Sequence, residues 1–155
     1  MSEKILLVDG HSIINRACYG VTDLTNSEGL HTNAIYGFLN TLFKVLDEEK
    51  PDYLTVAFDV KAPTFRHQMY DAYKGTRKPM PAELHEQVPV LKDELHAMGI
   101  ATMEKAGLEA DDLLGTVAKR SEARGMEVTV LSGDRDLLQL ATDHIRIRLP
   151  KTKGG

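Results

Sequence analysis

Residues 4–9, Lys-Ile-Leu-Leu-Val-Asp (KILLVD), decide the fold, because their pattern recurs twice. Tyr53 to Asp59 (YLTVAFD) and Glu127 to Asp134 (EVTVLSGD) repeat it: a short apolar run of strand formers, then an aspartate. A run that is apolar at successive positions has no polar face to show water. It therefore reads as a strand buried on both sides, as in a parallel sheet.

Working outward, helical patterns fill the gaps. A helix is expected from about Ser12 to Tyr19, then a polar loop from Thr22 to Gly29 with Asn26, Ser27 and Gly29 as turn residues. From Thr32 to Glu49, Ala34, Ile35, Phe38, Leu39, Leu42, Phe43, Val45 and Leu46 recur at three- and four-residue spacing, and Pro51 marks the stop. Further helices are expected from Ala82 to Met98, closed by Gly99, and from Glu109 to Arg124, closed by Gly125. An extended piece near Ile100 to Met103, a short helix from Arg135 to Leu140 and a strand from His144 to Leu149 complete the pattern. Strands alternating with helices imply right-handed crossovers and one α/β domain with a mostly parallel sheet. No internal repeat or low-complexity tract interrupts it, and the tail Lys151 to Gly155 reads as a loop cut short.

The net charge of −4 argues against a protein that coats nucleic acid by charge alone. Clustered metal-binding carboxylates depress the formal charge until cations bind, so a metal-dependent enzyme remains compatible. The single cysteine, Cys18, sits in an apolar helical stretch and reads as a buried thiol in a reducing compartment. Neither a cationic leader nor an apolar run near 20 residues is present, so a soluble cytoplasmic protein is expected.

The three aspartates carry the chemistry. In an open α/β sheet the carboxyl ends of parallel strands share one edge, where ligand crevices form. Asp9, Asp59 and Asp134 should therefore converge although they are far apart in sequence. Glu109, Asp111 and Asp112 in GLEADD, and Asp136 beside Asp134, bring the acids to seven. If Glu109 begins a helix, Glu109 and Asp112 share a face and Asp111 points off that line. Each acid taken singly also suits a helix cap or a helix N-terminus. Together they predict a crowded anionic edge that calls for hard divalent cations with oxygen ligands, Mg²⁺ or Mn²⁺. Two such ions can activate water and stabilise the leaving oxygen of a phosphodiester. No histidine or cysteine pair has zinc-like spacing.

Between Lys61 and Lys78 the chain carries Lys61, Arg66, Lys74, Arg77 and Lys78 against the single acid Asp71. With Phe65, Tyr70 and Tyr73 interleaved, the segment suits either a surface that grips phosphates and stacks a base or a solvated amphipathic helix. Arg16 could reach a phosphate near Asp9, and His11, close to Asp9, has no role assigned.

These motifs resemble the N-terminal 5′→3′ exonuclease domain of bacterial DNA polymerase I and the related flap endonucleases. The matching stretches are LLVDGHSIINRA (residues 6–17), LTNSEGLHTNAIYGFLN (24–40), VAFDVKAPTFRHQMYDAYKGTRKPMP (56–81), GLEADDLLGTVA (107–118) and SGDRDLLQL (132–140). The resemblance implies a three-layer α/β/α PIN-like fold. It implies Asp9, Asp59, Glu109 and Asp111 as ligands of a first Mg²⁺ or Mn²⁺, and Asp112, Asp134 and Asp136 as part of a second site. It places Tyr73, Lys74 and Arg77 in an arch segment, about residues 61–81, where a tyrosine stacks on the terminal base and basic groups contact the scissile phosphate. Arg16, Arg66 and Lys78 become DNA-contacting positions. The implied substrates are DNA 5′ ends and flaps, with RNA primers removed during replication and repair near the bacterial nucleoid. A polymerase domain on the same or a separate chain is an implied partner.

Family nuclease domains run to nearly twice this length. Residues 1–155 therefore read as the N-terminal part of such a domain, without its C-terminal DNA-gripping part and some second-site ligands. The rival readings are a metal- and DNA-binding fragment that does not cleave, and a PIN-domain ribonuclease. A nucleotide-binding protein is disfavoured because no G-x-G-x-x-G or Walker loop occurs.

Overall fold

The structure, a computed structural model, describes residues 3–20, 33–59, 82–104 and 109–150. The elements are β1 (Lys4–Asp9), α1 (Gly10–Gly20), α2 (Asn33–Glu49), β2 (Tyr53–Ala57), α3 (Ala82–Ala97), β3 (Ala101–Met103), α4 (Ala110–Ala123) and β4 (Glu127–Leu131). A 3₁₀ helix (Arg135–Leu140) and β5 (Ile145–Arg148) follow. All four strand pairings are parallel, in the order β3-β2-β1-β4-β5. The polar loop from Thr22 to Gly29, the basic segment from Lys61 to Lys78 and the Cys18 side chain lie outside the described residues.

Alternation along the central strands splits the core into two layers. Leu6 and Val8 of β1 join Val56 of β2 and the buried faces of α1, α2 and α3. Leu7 points the other way, to Val128, Val130 and Ile145 and to Ala110, Leu114 and Ala118 of α4. Leu6, Leu7 and Val8 have no exposed surface, as expected of a strand covered on both faces. The architecture is the three-layer α/β/α sandwich expected from the sequence.

Strand order fixes where a site can form. From β1 the chain runs outward to β2 and β3 on one flank, then crosses back through α4 to β4 and β5 on the other. The topology therefore switches between β1 and β4, whose carboxyl ends flank a natural crevice. Register brings the ends together: Val8 is opposite Leu131, and Asp9 is opposite Ala57.

Two helix ends confirm their sequence signals. Gly99 (φ 75°) and Gly125 (φ 82°) adopt the left-handed conformation that ends α3 and α4. In α3 the Ile100 N–H bonds the Leu95 carbonyl (2.9 Å) and the Gly99 N–H bonds that of His96 (3.0 Å), closing a Schellman motif.

One boundary differs in a useful way. α1 begins at Gly10, two residues before the expected start, because Asp9 itself caps it: Oδ1 accepts from the Ser12 N–H at 3.3 Å. Strand passes to helix with no linker, and glycine is what fits. A Cβ at Gly10 would lie 2.7 Å from Phe58 Cε1 and 2.8 Å from the Ala57 carbonyl oxygen. Gly10→Ala is expected to lower stability by about 1–3 kcal/mol, since backbone must shift to admit the methyl. Chemical denaturation checks this, and an unchanged midpoint would show the packing to be looser than described.

Candidate metal centre

Three helices start at the carboxyl edge of the sheet, and their N-termini aim at the acids. Asp9 ends β1 and caps α1. Asp59, just past β2, accepts from the Ala110 N–H in the first turn of α4 at 2.5 Å. Asp134, just past β4, caps the 3₁₀ helix by accepting from the Asp136 N–H at 2.9 Å. Helix N-termini carry partial positive charge and unpaired N–H groups, so they lower the cost of gathering anions there. The capping role and the convergent site are thus the same arrangement.

Convergence shows in the electrostatics. Asp9 is 4% exposed, and its pKa is pushed up from 3.8 to about 6. Burial is the largest cause, opposed by hydrogen bonds from Ser132 and Ser12 and reinforced by the negative charges of Asp59 and Asp134. Asp111, half-buried in the first turn of α4, is raised to about 7 by desolvation, then by the charges of Asp9, Asp134 and Asp59 and a hydrogen bond with Asp134. Asp9, Asp59, Asp111 and Asp134 therefore feel one another across the crevice.

The other predicted acids sit differently. Glu109 is the N-cap of α4, with extended backbone, so the helix begins one residue later than expected. Glu109 and Asp112 form a capping box, in which Asp112 Oδ2 accepts from the Glu109 N–H at 3.4 Å. Glu109 is buried, Asp112 is half-buried, and Asp136 is exposed on the 3₁₀ helix. Asp111, Asp112 and Asp136 line one cavity of about 630 Å³ between α4 and the 3₁₀ helix. Asp134 stands with Asp9 and Asp111, across the division into two sites that the resemblance implies. Among the described residues no three acids, histidines or cysteines form a ready coordination sphere. The carboxylates are turned to N–H and O–H donors beside them.

The residues present nevertheless fit a hard divalent cation. The donors are all carboxylate oxygens, and the electrostatics of Asp9 and Asp111 mark a place where added positive charge is favourable. Arg16 lies at the rim, where a Cβ on Gly133 would meet its Cδ at 2.8 Å. Arg66, Tyr73, Lys74, Arg77 and Lys78 are outside the described residues.

Several contributors escaped the sequence reading. Ser132 is fully buried and donates from Oγ to Asp9 Oδ2 at 2.8 Å. Ser12 Oγ accepts from the Gly133 N–H at 2.7 Å. His11 places Nε2 3.3 Å from the Asp59 carbonyl oxygen and packs edge-on against Phe58, with ring centroids 5.7 Å apart. The only sequence signal was position: each lies within three residues of a strand-ending acid.

Fold and site together define a parallel α/β domain with an acidic crevice at its topological switch point. The chain belongs to the family of the 5′-3′ exonuclease N-terminal resolvase-like domain, whose model matches residues 4–153. It is 47% identical over 151 residues to DNA polymerase I of Bacillus caldotenax, covering 97% of this chain and 17% of that one. Two solved structures of bacteriophage T5 share the fold at 23% identity. One is the D15 protein co-crystallised with metal ions (TM-score 0.69, 95% of this chain and 54% of that one). The other is the D15 flap endonuclease in a pseudo-enzyme-product complex with DNA and metal ions (TM-score 0.68, 95% and 55%). No described helix is long and apolar enough to cross a membrane.

Proposed function

We propose that this chain is the catalytic part of a metal-dependent 5′ nuclease that hydrolyses phosphodiesters at DNA 5′ ends and 5′ flaps. The observation that carries the reading is the meeting of Asp9, Asp59, Asp111 and Asp134 at one crevice of the sheet. Family membership supports it, as do the T5 structures, one co-crystallised with metal ions and one in complex with DNA and metal ions. The ions are Mg²⁺ or Mn²⁺, because the donors are hard oxygens.

Asp9, Asp59, Asp111 and Asp134 would hold the ions, with Glu109, Asp112 and Asp136 at the flank of the crevice. The chemistry supplied by bound divalent ions would be polarisation of the phosphate and a more nucleophilic water. The remaining work falls to the chain. Arg16 at the rim contacts backbone phosphate. Lys74 and Arg77 stabilise charge that develops on the scissile phosphate, Tyr73 stacks on the terminal base, and Arg66 and Lys78 extend the phosphate-binding surface. The parent protein carries a polymerase domain on the same polypeptide, as in the relative of which this chain covers 17%. RNA primers annealed to DNA are a second substrate, which places the protein at the nucleoid.

A single assay tests this reading: flap DNA and a matched RNA are incubated with the chain and Mg²⁺ or Mn²⁺, beside Asp111→Asn. Release of the DNA flap by the parent, reduced about a thousandfold in Asp111→Asn, is the expected result. Cleavage of RNA alone would point to a ribonuclease, activity only in a chain extended downstream would mark residues 1–155 as a metal- and DNA-binding fragment, and cleavage by neither chain would remove the assignment.

A further inference from the structure

The turns after β1 and β4 are stitched together by two serines, and one serine touches two acids at once. Ser132 is fully buried. Its hydroxyl has one proton, which it gives to Asp9 Oδ2 at 2.8 Å, and its oxygen accepts from the Asp134 N–H at 3.0 Å. Its own N–H bonds the Arg148 carbonyl at 3.1 Å, so its backbone is tied to β5. On the other side the Ser12 N–H holds Asp9 Oδ1 at 3.3 Å, and the Ser12 hydroxyl accepts from Gly133. Both oxygens of Asp9 are thus fixed, one from each turn. Close approach of the turns requires the small residue at 133, where a Cβ would come within 3.0 Å of Ser12 Oγ.

We propose that Ser132 is a positioning residue for the metal site: its hydroxyl sets the orientation of Asp9 and its distance from Asp134, so that the two present a fixed pair of oxygens to a divalent cation. This rests on the metal-binding reading above. A carboxylate held by a fixed donor loses less freedom on binding a cation, and such supporting hydrogen bonds are typically worth about 10–100-fold in metal affinity. Ser12 has a different part, because it holds Asp9 through its backbone and uses its hydroxyl only to join the turns.

The test is a Mn²⁺ titration of the 155-residue chain, read by the loss of the free-ion electron paramagnetic resonance signal, with folding checked by circular dichroism. Ser132→Ala is expected to bind Mn²⁺ about 10–100-fold more weakly. Ser132→Cys replaces a strong donor by a weak one at similar volume. It keeps the question answerable if alanine at this buried position prevents folding, and it is expected to lose about tenfold. Ser12→Ala, which retains the backbone bond to Asp9, should lower thermal stability while changing affinity less than about threefold. A purely structural role for Ser132 would instead move all three variants in stability and leave the affinity of every folded variant at the parent value, which overturns the proposal. If the parent binds no Mn²⁺, the metal reading fails and the positioning role goes with it. If the parent binds and folded Ser132→Ala or Ser132→Cys binds equally, the positioning role alone fails.

Discussion

Asp9→Asn is expected to reduce phosphodiester hydrolysis on the order of a thousandfold, while making the metal-free chain slightly more stable than the parent. The two effects have one origin. Asp9 is buried among like charges, and its pKa of about 6 against 3.8 corresponds to about 3 kcal/mol of strain when it is ionised in the folded chain. Asparagine removes that charge and keeps a side-chain oxygen for Ser132 or the Ser12 N–H. One weakened hydrogen bond costs about 1 kcal/mol, which leaves a net gain of about 1–2 kcal/mol, a few degrees in Tm near pH 8. The same substitution removes a charged ligand at the centre of the crevice, so turnover falls. Thermal melting in a chelator and a flap-cleavage assay report on the two sides. A variant that lost several degrees without metal would show Asp9 to be a stabilising cap first and a ligand second.

The second large effect is a pH dependence that divalent metal should remove. Asp9 and Asp111 have folded pKa values raised above their unfolded value, to about 6 and about 7. Below about pH 4 both states are protonated and these groups contribute nothing. Between about pH 4 and pH 8 the folded chain holds protons that the unfolded chain releases, so stability falls as pH rises. The penalty from Asp9, about 3 kcal/mol, is complete above about pH 7, and the smaller share from the more exposed Asp111 is complete about one unit higher. In chelator the chain is expected to be less stable at pH 8 than at pH 5. Saturating Mg²⁺ should raise Tm far more at pH 8, where the ligands are already ionised. Equal stabilisation by Mg²⁺ at both pH values would mean that the ion binds away from these acids.

Which parts of this were legible in the sequence follows from what sequence carries. The β1, β2 and β4 runs announced a sheet covered on both faces because residues pointing to either face, such as Leu6, Leu7 and Val8, are apolar. Gly99 and Gly125 announced helix ends because few other residues adopt positive φ. That acids after parallel strands meet at one edge followed from topology alone. How they sort along the edge did not. The order β3-β2-β1-β4-β5 puts the turn carrying Asp134 beside Asp9, and strand order is not written in any local pattern. The spacing did pair Glu109 with Asp112 and turn Asp111 off that line, but that Asp111 faces Asp134 depends on the same strand order. Ser132 was invisible for a related reason: a serine after a strand is ordinary, and its value lies in a hydrogen bond spanning 123 residues.

Whether the acids at the β1–β4 crevice form a divalent-cation site is decided by Mn²⁺ titration of the parent beside Asp9→Asn. Saturable Mn²⁺ binding by the parent, displaced by Mg²⁺ and weakened at least a hundredfold by Asp9→Asn, is expected of such a site. Binding of equal strength in both chains, or none in the parent, would contradict it.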